Sequence, residues 1–289
     1  MLVSRGGGSS SRQMRIGRID VVHGCEARAV EVELPGGNAG GAVLVGGTVR
    51  RKTGPWTPAV HDLLAYLAAQ GFEGAPRPLG FDDQGREILT YLPGDTVGNS
   101  RPWPEWTRSD RALLEAGAWL RRYHDVVRNY RPPANAVWRL STRTWQPGDV
   151  IAHNDAAPYN AVWAGHDDDG LVGFIDWDFA APQPAIWDLA YLIFSWVPLH
   201  ARRVVASEGF TDFASRPRRL RALLDAYEWT GTVDEALDAV ATRVAAHIAD
   251  VQEMATTDSL FRRLINEGTI DNLKLAMTEM AADRHGLIS

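Results

Sequence analysis

The sequence predicts an α+β protein of two lobes, a small lobe built on an antiparallel sheet and a larger, mostly helical lobe. Residues 19–94 are rich in short strand patterns that glycine and proline interrupt. From about Arg108 onward, apolar residues instead recur at helical spacing. A connection rich in proline, glycine and tryptophan, residues 94–106, joins the two parts. We therefore expect a flexible Gly/Ser-rich tail at 1–18, the small lobe at 19–94 and the large lobe at 95–289.

Alternation and turn residues define the small lobe. Residues 28–34 (RAVEVEL) alternate between apolar and polar types, which predicts a strand. A glycine-dense turn at 35–41 follows, and two short strands at 42–45 and 48–51 flank a Gly46–Gly47 hairpin. The remaining elements are a helix at 58–70, with proline in its first turn and Gly71 after its end, and a strand at 87–92.

The large lobe is predicted from helical periodicity and one hairpin. The segment 109–128 carries apolar residues on one face and begins with Ser109, a favourable N-cap residue. Two apolar strands, 160–163 and 171–175, flank an acidic turn at 166–170. Three further helices are expected near residues 218–229, 233–253 and 269–284.

The bulk composition excludes several functional classes. The formal net charge is −6 and the isoelectric point is about 5.8, so the chain lacks the basic footprint of a nucleic-acid-binding protein. No apolar run approaches the roughly 20 residues that span a bilayer, and we expect no membrane segment. The single cysteine, Cys25, excludes an intramolecular disulfide and a cysteine metal cluster. These features favour a cytoplasmic location.

Polar side chains gather where the two predicted hairpin strands begin and end. His153, Asp155 and Asn160 come at or just before the start of the first strand, and Asp176 and Asp178 follow the second. Because the entry of one antiparallel strand lies beside the exit of the next, Asp155, Asn160 and Asp176 are expected at one end of the ribbon. Carboxylate and amide oxygens are the ligands that Mg²⁺ prefers. Phosphoryl transfer needs such groups, because the protein must position the reactants and neutralise charge.

The motifs in this stretch resemble those of a known family. HND at 153–155 and Asn160 match the kinase catalytic-loop pattern H-x-D-x-x-x-x-N. The sequences IDWD at 175–178 and WDLA at 187–190 then resemble the aminoglycoside phosphotransferase family. The resemblance covers roughly residues 33–199. It implies the bilobal protein-kinase-like fold, and transfer of the γ-phosphoryl group of ATP (or GTP), with Mg²⁺, to a hydroxyl of a small-molecule acceptor.

The resemblance also implies a role for each matching residue. Asp155 would be the catalytic base, and His153 would brace the loop. Asn160 and Asp176 would bind the magnesium ion. Asp188 resembles the buried structural aspartate of the family and would cap the helix that it begins.

The small lobe carries candidate nucleotide contacts. In the glycine-rich turn, Gly37, Asn38 and Gly40 would bring backbone N–H groups to the phosphates, although a turn of this kind is also a common plain hairpin. Tyr91 and Leu92 lie in the strand that leads to the lobe connection. By the same resemblance, their backbone would hydrogen-bond the nucleotide base.

The second short strand departs from the family at the lysine that pairs with the phosphates. Arg51 lies on the same strand face as Val49 and is the expected replacement, since its guanidinium offers several N–H donors. Arg50 would serve if the register shifted, and Lys52 is a third choice. The glutamate that the family has on the next helix is also absent, because positions 60–62 are VHD. The sequence therefore does not show which residue would form the usual ion pair with Arg51.

Two other functions stay open. The arginine in place of lysine and the absent glutamate would fit a catalytically weak, kinase-like protein that binds nucleotide and acts as a sensor or partner. A metal-dependent phosphoesterase would use Asp155, Asp176 and Asp178. Asp178 is otherwise expected to contact a second ion or the substrate, or to cap a helix.

The acceptor is predicted only in broad terms. Acidic residues of the C-terminal helices suit a polyamine, or they form a solvated helix face. These positions are Asp225, Glu228, Asp234, Glu235, Asp238, Asp250 and Glu253. Trp177, Trp187 and Trp196 would line a pocket for a quaternary ammonium group through cation–π attraction, or pack in the core.

Overall fold

The computed structural model describes residues 30–34, 41–98, 101–139, 143–165 and 170–289. It confirms the predicted fold class, because a small antiparallel-sheet lobe is followed by a larger, mostly helical one. The tail predicted at 1–18 and residues 35–40 of the glycine-rich turn lie outside the described residues. The lobe boundary at 94 stays a prediction.

The described part of the small lobe forms a five-stranded antiparallel sheet and one helix. Its elements are β1 (Glu31–Glu33), β2 (Val43–Val45), β3 (Thr48–Arg51), α1 (Thr57–Ala69), β4 (Pro78–Phe81) and β5 (Glu87–Thr90). The strands lie in the order β1-β2-β3-β5-β4. The hairpin between β2 and β3 turns at Gly46 and Gly47, both at positive φ, as the sequence predicts. Sequence alone does not predict β4, because Pro78 and Gly80 interrupt its alternation.

The large lobe contains seven helices and four short strands within the described residues. The helices are α2 (Asp110–Val127), α3 (Ala185–Trp196), α4 (Arg202–Ser207), α5 (Arg216–Tyr227), α6 (Val233–Met254), α7 (Ser259–Asn266) and α8 (Thr269–Ile288). The strands are β6 (Val150–Ala152), β7 (Ala161–Ala164), β8 (Gly170–Phe174) and β9 (Ala181–Gln183). They form two antiparallel ribbons, in which β6 pairs with β9 and β7 pairs with β8.

The long helices agree with the sequence prediction to within a few residues at most ends. Ser109 caps α2 as expected, because its side chain accepts a hydrogen bond from the backbone N–H of Ala112 at 3.1 Å. The short helices α4 and α7 contain too few turns to give a periodic signal. None of the helices in the described part of the chain is long and apolar enough to cross a membrane.

An aromatic cluster fixes the β7–β8 ribbon against α2. Trp119 and Tyr123 of α2 stack with ring centroids 5.3 Å apart, and Trp119 lies 4.5 Å from Phe174 at the end of β8. Trp177 is 2% exposed and packs edge-on against Tyr123 at 5.2 Å. Buried aromatic rings contribute large apolar areas and prefer such tilted or offset contacts. The chain around Asp176, which lies between Phe174 and Trp177, is therefore held in place on both sides.

The two lobes meet at a close backbone approach between Gly74 and Gly173. The carbonyl oxygen of Gly74 accepts hydrogen bonds from the backbone N–H of Phe174 and from the indole N–H of Trp119, both at 3.1 Å. A Cβ atom on Gly173 would lie only 2.3 Å from that oxygen. Glycine is therefore required where β8 passes beneath the small lobe.

We expect Gly173→Ala to lower the free energy of unfolding by about 1–3 kcal/mol, because backbone on both sides of the contact must move apart. Urea denaturation measures this change. Gly286→Ala in α8 is the matched control, since nothing lies within 4 Å of its added methyl group. The control should leave stability unchanged or raise it by up to about 1 kcal/mol. Equal stability of the two variants would contradict the close packing at Gly173.

Candidate active site

A single buried carboxylate shapes the loop that follows β6. Asp188 of α3 is 0% exposed and accepts the backbone N–H groups of His153 at 2.8 Å and Asn154 at 2.9 Å. His124 of α2 lies 3.3 Å from the same carboxylate, and its other ring nitrogen lies 2.8 Å from the hydroxyl of Tyr227 in α5. Three helices thus converge on the residues that directly precede Asp155.

The role predicted for Asp188 is right in one respect and wrong in another. The residue is buried, as expected, but it does not cap its own helix, because α3 begins at Ala185 and Asp188 lies in its first turn. Burial alone raises the pKa of Asp188, but the hydrogen bond with His124 and the charges and backbone N–H around it more than offset this and hold the pKa below its ordinary value. The carboxylate is therefore ionised and accepts hydrogen bonds from the backbone of the loop.

Asp155 is buried and engaged at both carboxylate oxygens. It is 9% exposed. One oxygen accepts the amide N–H of Asn160 at 2.9 Å, and the other accepts the hydroxyl of Tyr159 at 2.5 Å. Burial raises the pKa of Asp155 to about 7, and the charge of Asp176 adds to this effect while the hydrogen bonds oppose it. The side chain is thus a carboxylate that takes up a proton near neutral pH.

His153 is fully buried beneath the loop. Its ring lies 4.4 Å from that of Trp177, and its Nδ1 atom accepts the backbone N–H of Asp155 at 3.3 Å. Burial lowers the pKa of His153, which keeps the imidazole neutral and able to accept this bond. The bracing contact that the sequence predicts is therefore present in the structure.

Asn160 and Asp176 lie side by side, as the hairpin argument predicts. The backbone N–H of Ile175 donates to the carbonyl of Asn160 at 2.9 Å, so Asp176 follows directly beside it. Asp176 adopts the left-handed conformation, with φ of 61°, which non-glycine residues rarely adopt except Asn and Asp. The amide nitrogen of Asn160 is used by Asp155, which leaves its amide oxygen as a ligand for a cation.

The chemistry of these donors fits magnesium bound together with phosphates. Asn160 and Asp176 offer hard oxygen atoms, and Mg²⁺ is commonly held by one or two protein oxygens plus substrate phosphates and water. Within the described residues, no group of three or more His, Cys, Asp or Glu side chains is arranged to hold a metal by itself. Asn160 and Asp176 would therefore hold a metal ion only together with phosphates and water.

Arg51 points from the small lobe toward this site, as strand alternation predicts. Its guanidinium contacts Glu87 at 2.9 Å and Asp176 at 3.2 Å, and it also pairs with Asp178. Burial alone lowers the pKa of Arg51, but these three carboxylates more than offset this and raise it, so the side chain stays charged. Arg50 turns away and hydrogen-bonds Thr48.

The ion pair that the sequence left open is formed by a glutamate from a different element. Glu87 of β5 stands directly opposite Arg51 of β3 in the sheet and is 3% exposed. His61 of α1, at the position where a glutamate was sought, lies 2.8 Å from the other oxygen of Glu87. The sequence signal that could have identified this partner is Glu87 itself, a charged residue in a strand. A charged residue is rarely buried in a sheet unless its charge is paired.

Asp178 is 8% exposed and is held by arginines. It pairs with Arg51 and, at 3.2 Å, with Arg139, whose guanidinium also lies over the rings of Trp56 at 4.6 Å and Phe179 at 5.0 Å. Its expected role as a helix cap is wrong, since its carboxylate is used in these ion pairs. Burial raises the pKa of Asp178, although the two arginines oppose this.

The other predicted nucleotide contacts are only partly described. Gly37, Asn38 and Gly40 lie outside the described residues. Tyr91 and Leu92 follow β5 in the connection between the lobes, where Tyr91 is 37% exposed. Their proposed contact with the nucleotide base stays a prediction.

The three tryptophans considered for an ammonium pocket do not form one. Trp177 and Trp196 are 2% and 1% exposed and pack in the core. Of the three, Trp187 alone is partly exposed, and the guanidinium of Arg243 lies 5.4 Å from its ring. For Trp177 and Trp196, the interpretation that they pack in the core is therefore correct.

Several acidic side chains of the C-terminal helices are engaged on the surface. Asp234 and Asp238 both pair with Arg284, at 2.5 and 2.8 Å. Glu235 completes a capping box with Thr232 at the start of α6. These contacts favour the solvated helix face over a polyamine site at these positions.

Similarity to known proteins agrees with this geometry. A model of the phosphotransferase enzyme family matches residues 129–223, the segment that contains the loop and the ribbon. The trifolitoxin immunity protein of Rhizobium leguminosarum bv. trifolii is 35% identical over 202 residues, which cover 68% of this chain and 74% of that protein. The chain belongs to the aminoglycoside phosphotransferase family. Membership confirms the predicted class of enzyme, a phosphotransferase with an alcohol group as acceptor.

Solved structures of this phosphotransferase family and of related kinases share the fold. The GDP complex of wild-type aminoglycoside 2'-phosphotransferase-IIIa is 13% identical, with a TM-score of 0.52 and coverage of 88% of this chain and 94% of that chain. Amicoumacin kinase in complex with AMP-PNP, Ca²⁺ and Ami is 12% identical, with a TM-score of 0.53 and coverage of 80% and 81%. A choline kinase from Streptococcus pneumoniae is 13% identical, with a TM-score of 0.52 and coverage of 88% and 93%. The protein-kinase-like fold predicted from the sequence is thereby confirmed.

We expect Glu87→Gln to lower the free energy of unfolding by about 1–3 kcal/mol, because it removes the charge that faces Arg51 and His61 inside the sheet. Urea denaturation measures the loss. Glu31→Gln is the matched control, because Glu31 pairs with Arg86 on the exposed surface of the same sheet and such pairs contribute little. A loss of stability that is the same in both variants would show that Glu87 has no special role.

Asp155→Asn should stabilise the protein in a pH-dependent way. Because the pKa of Asp155 is about 7 when folded and 3.8 in its ordinary state, the folded form binds an extra proton between these values. The cost of the buried charge therefore appears as pH rises through this window and is complete above it. The stability advantage of the asparagine variant over wild type should grow by on the order of 2–4 kcal/mol between about pH 4.5 and about pH 8. Denaturation at both pH values tests this, and an advantage that does not change with pH would contradict it.

Proposed function

We propose that the protein transfers the γ-phosphoryl group of ATP or GTP, with Mg²⁺, to a hydroxyl group of a small molecule. The observation that carries the proposal is the position of Asp155, a buried carboxylate that accepts a hydrogen bond from Asn160 and interacts with the charge of Asp176. A base whose pKa lies near the working pH is well suited to accept the proton of an attacking hydroxyl.

In this proposal each site residue has one task. Asp155 orients the acceptor hydroxyl and takes its proton, and His153 holds the backbone of Asp155 in place. Asn160 and Asp176 hold the magnesium ion, which supplies neutralising charge at the phosphates. Arg51 moves from its carboxylate partners toward the phosphates.

The remaining nucleotide contacts are carried by the small lobe and the lobe connection. The sequence assigns the phosphates to the backbone of Gly37, Asn38 and Gly40, which lie outside the described residues, and the base to the backbone of Tyr91 and Leu92. The reaction is proposed to take place in the cytoplasm, where nucleoside triphosphates are made.

Tyr159 occupies the place of the acceptor. Its hydroxyl donates to one oxygen of Asp155 at 2.5 Å, and the hydroxyl of Tyr191 lies 2.9 Å beyond it. An acceptor hydroxyl needs that same oxygen, so it must displace the phenol of Tyr159. The side chain is 39% exposed, which leaves it room to turn outward.

The name of the curated relative suggests the biological context. That protein gives immunity to trifolitoxin, according to its name. Phosphorylation changes a small molecule strongly, because it blocks a hydroxyl and adds about two negative charges. We therefore propose that the acceptor of this chain is a toxin or antibiotic that is inactivated when it is phosphorylated.

A second candidate function rests on the contacts of Arg51. Its guanidinium is bound to Asp176 and Asp178 at once, so it competes with a metal ion for the proposed ligand. A protein in which this pairing persists would bind nucleotide weakly and act as a sensor or partner. The phosphoesterase alternative loses support, because Asp178 is paired with Arg51 and Arg139 and is not available to a metal.

Measuring phosphoryl transfer from ATP or GTP to a panel of toxins and antibiotics distinguishes the kinase from the nucleotide-binding sensor. We expect Asp155→Asn to lower phosphoryl transfer by roughly 10²–10⁴-fold while calorimetry shows unchanged affinity for the magnesium–nucleotide complex. Asp176→Asn should weaken that affinity. In wild type, kcat/KM should fall as pH drops below about 7, because a protonated Asp155 cannot accept the proton.

Asp62→Asn is a suitable control for these variants. Asp62 is exposed on α1 and accepts a hydrogen bond from Tyr130 at 2.6 Å, and because it contacts none of the site residues named above, its loss should leave nucleotide affinity and turnover unchanged. Nucleotide binding without turnover on any acceptor would favour the sensor. Wild-type turnover in Asp155→Asn would overturn the role of Asp155.

A further inference from the structure

A buried arginine beside the loop lacks partners for most of its N–H groups. Arg243 of α6 is 4% exposed. One terminal nitrogen donates to the carbonyl of Asn154 at 3.3 Å, and neither Nε nor Nη1 has a hydrogen-bond partner among the described residues. None of the described carboxylates forms an ion pair with it. A guanidinium in this state is costly, because buried charges are normally paired.

Other buried arginines of the same lobe are better satisfied. Arg216 is 3% exposed and donates to the carbonyls of Pro198 and His200, with Asp283 at 3.6 Å. Arg219, at 2% exposed, likewise reaches two carbonyls and a carboxylate. The Nε atoms of Arg216 and Arg219 also lack partners, but of the three arginines Arg243 alone also lacks a partner at Nη1 and an ion pair with a described carboxylate.

Arg243 is connected to Asp155 through two tyrosines. Its guanidinium lies 4.9 Å from the ring of Tyr191, whose hydroxyl contacts that of Tyr159. Burial raises the pKa of Tyr191, the charge of Asp155 adds to this and the charge of Arg243 opposes it. The phenol of Tyr191 thus interacts with the negative charge of Asp155 and with the positive charge of Arg243.

Two residues near the guanidinium are only partly buried. Trp187, over which Arg243 also lies, is partly exposed, and so is His247, one turn further along α6. Asp250 is the acidic group of α6 whose charge interacts with that of Arg243, and the two do not pair. Two nitrogen atoms of the guanidinium therefore lack a hydrogen-bond acceptor among the described residues, and a negative group would supply one.

We propose that Arg243 binds a carboxylate of the acceptor, so that the acceptor carries a hydroxyl at Asp155 and a carboxylate at Arg243, on opposite sides of the Tyr191 phenol. This inference rests on the proposed function for the identity of the ligand, but the anion site itself is testable alone. A charge-assisted hydrogen bond in a buried site is stronger than a neutral one, and it replaces the water that the guanidinium has lost.

The test titrates sodium acetate against the melting temperature of the protein, with sodium chloride holding ionic strength constant and acetamide as the neutral probe of the same shape. We expect acetate, and not acetamide, to raise the melting temperature in a saturable way, because it binds the native state. Arg243→Gln should raise the half-saturating acetate concentration by at least about tenfold. Arg216→Gln is the matched control, since it removes an equally buried guanidinium far from Asp155, and it should keep the acetate response.

Several outcomes would overturn the proposal. They are no acetate effect in wild type, an equal effect of acetamide, or an acetate response in Arg243→Gln that equals that of wild type. Should the glutamine variant fail to fold, Arg243→Lys replaces it and should bind acetate more weakly, since lysine lacks the fork of donors. Binding of magnesium–ATP is measured on the same samples. If magnesium–ATP does not bind but the acetate response is intact, the kinase function is contradicted and the anion site is supported.

Discussion

The carboxylate of Asp188 is the contact on which the geometry of the loop depends. It has no exposure to solvent, yet it accepts the N–H groups of His153 and Asn154 and contacts His124. Because these two loop residues directly precede Asp155, their hydrogen bonds determine where the proposed base lies. Without the carboxylate, two buried backbone donors would be left without acceptors, at a cost of about 1–3 kcal/mol each. The helices α2, α3 and α5 therefore act together as the support of one loop.

The second constraint is the charge cluster between the lobes. Glu87, Asp176, Asp178 and Asp258 carry four negative charges, while Arg51 and Arg139 carry two positive ones. The excess is two negative charges, located where a metal–nucleotide complex would bring a divalent cation. Arg51 belongs to the small lobe and Asp176 to the large one, so under the proposed function the guanidinium that links the lobes would exchange carboxylate for phosphate when nucleotide binds. Nucleotide binding and the relative position of the lobes would then be coupled.

Local rules predict the parts of this site that are close together in sequence. The antiparallel hairpin brings Asn160 beside Asp176, and strand alternation selects Arg51 over Arg50. The partner of Arg51 was not predictable in this way, since Glu87 becomes its neighbour only through the register of β3 with β5. Arg243 contacts the loop across 89 residues of sequence, and no local pattern marks it. What sequence analysis misses is the set of long-range contacts that tertiary packing creates.

The same long-range contacts change the expected chemistry of the acceptor. Acidic residues on the C-terminal helices suggest a polyamine when they are only counted, but Asp234 and Asp238 are already paired with Arg284. The unpaired charge that lies beside the loop is instead the guanidinium of Arg243. Under the proposal, an acceptor bound there would meet a negative group at Asp155 and a positive one at Arg243, with the Tyr191 phenol between them. A molecule whose hydroxyl and carboxylate match this separation would be oriented by both charges at once, whereas a polycation would be repelled at one end of the site. Selectivity for the acceptor would then depend on the position of a single buried charge more than on the number of acidic residues on the surface.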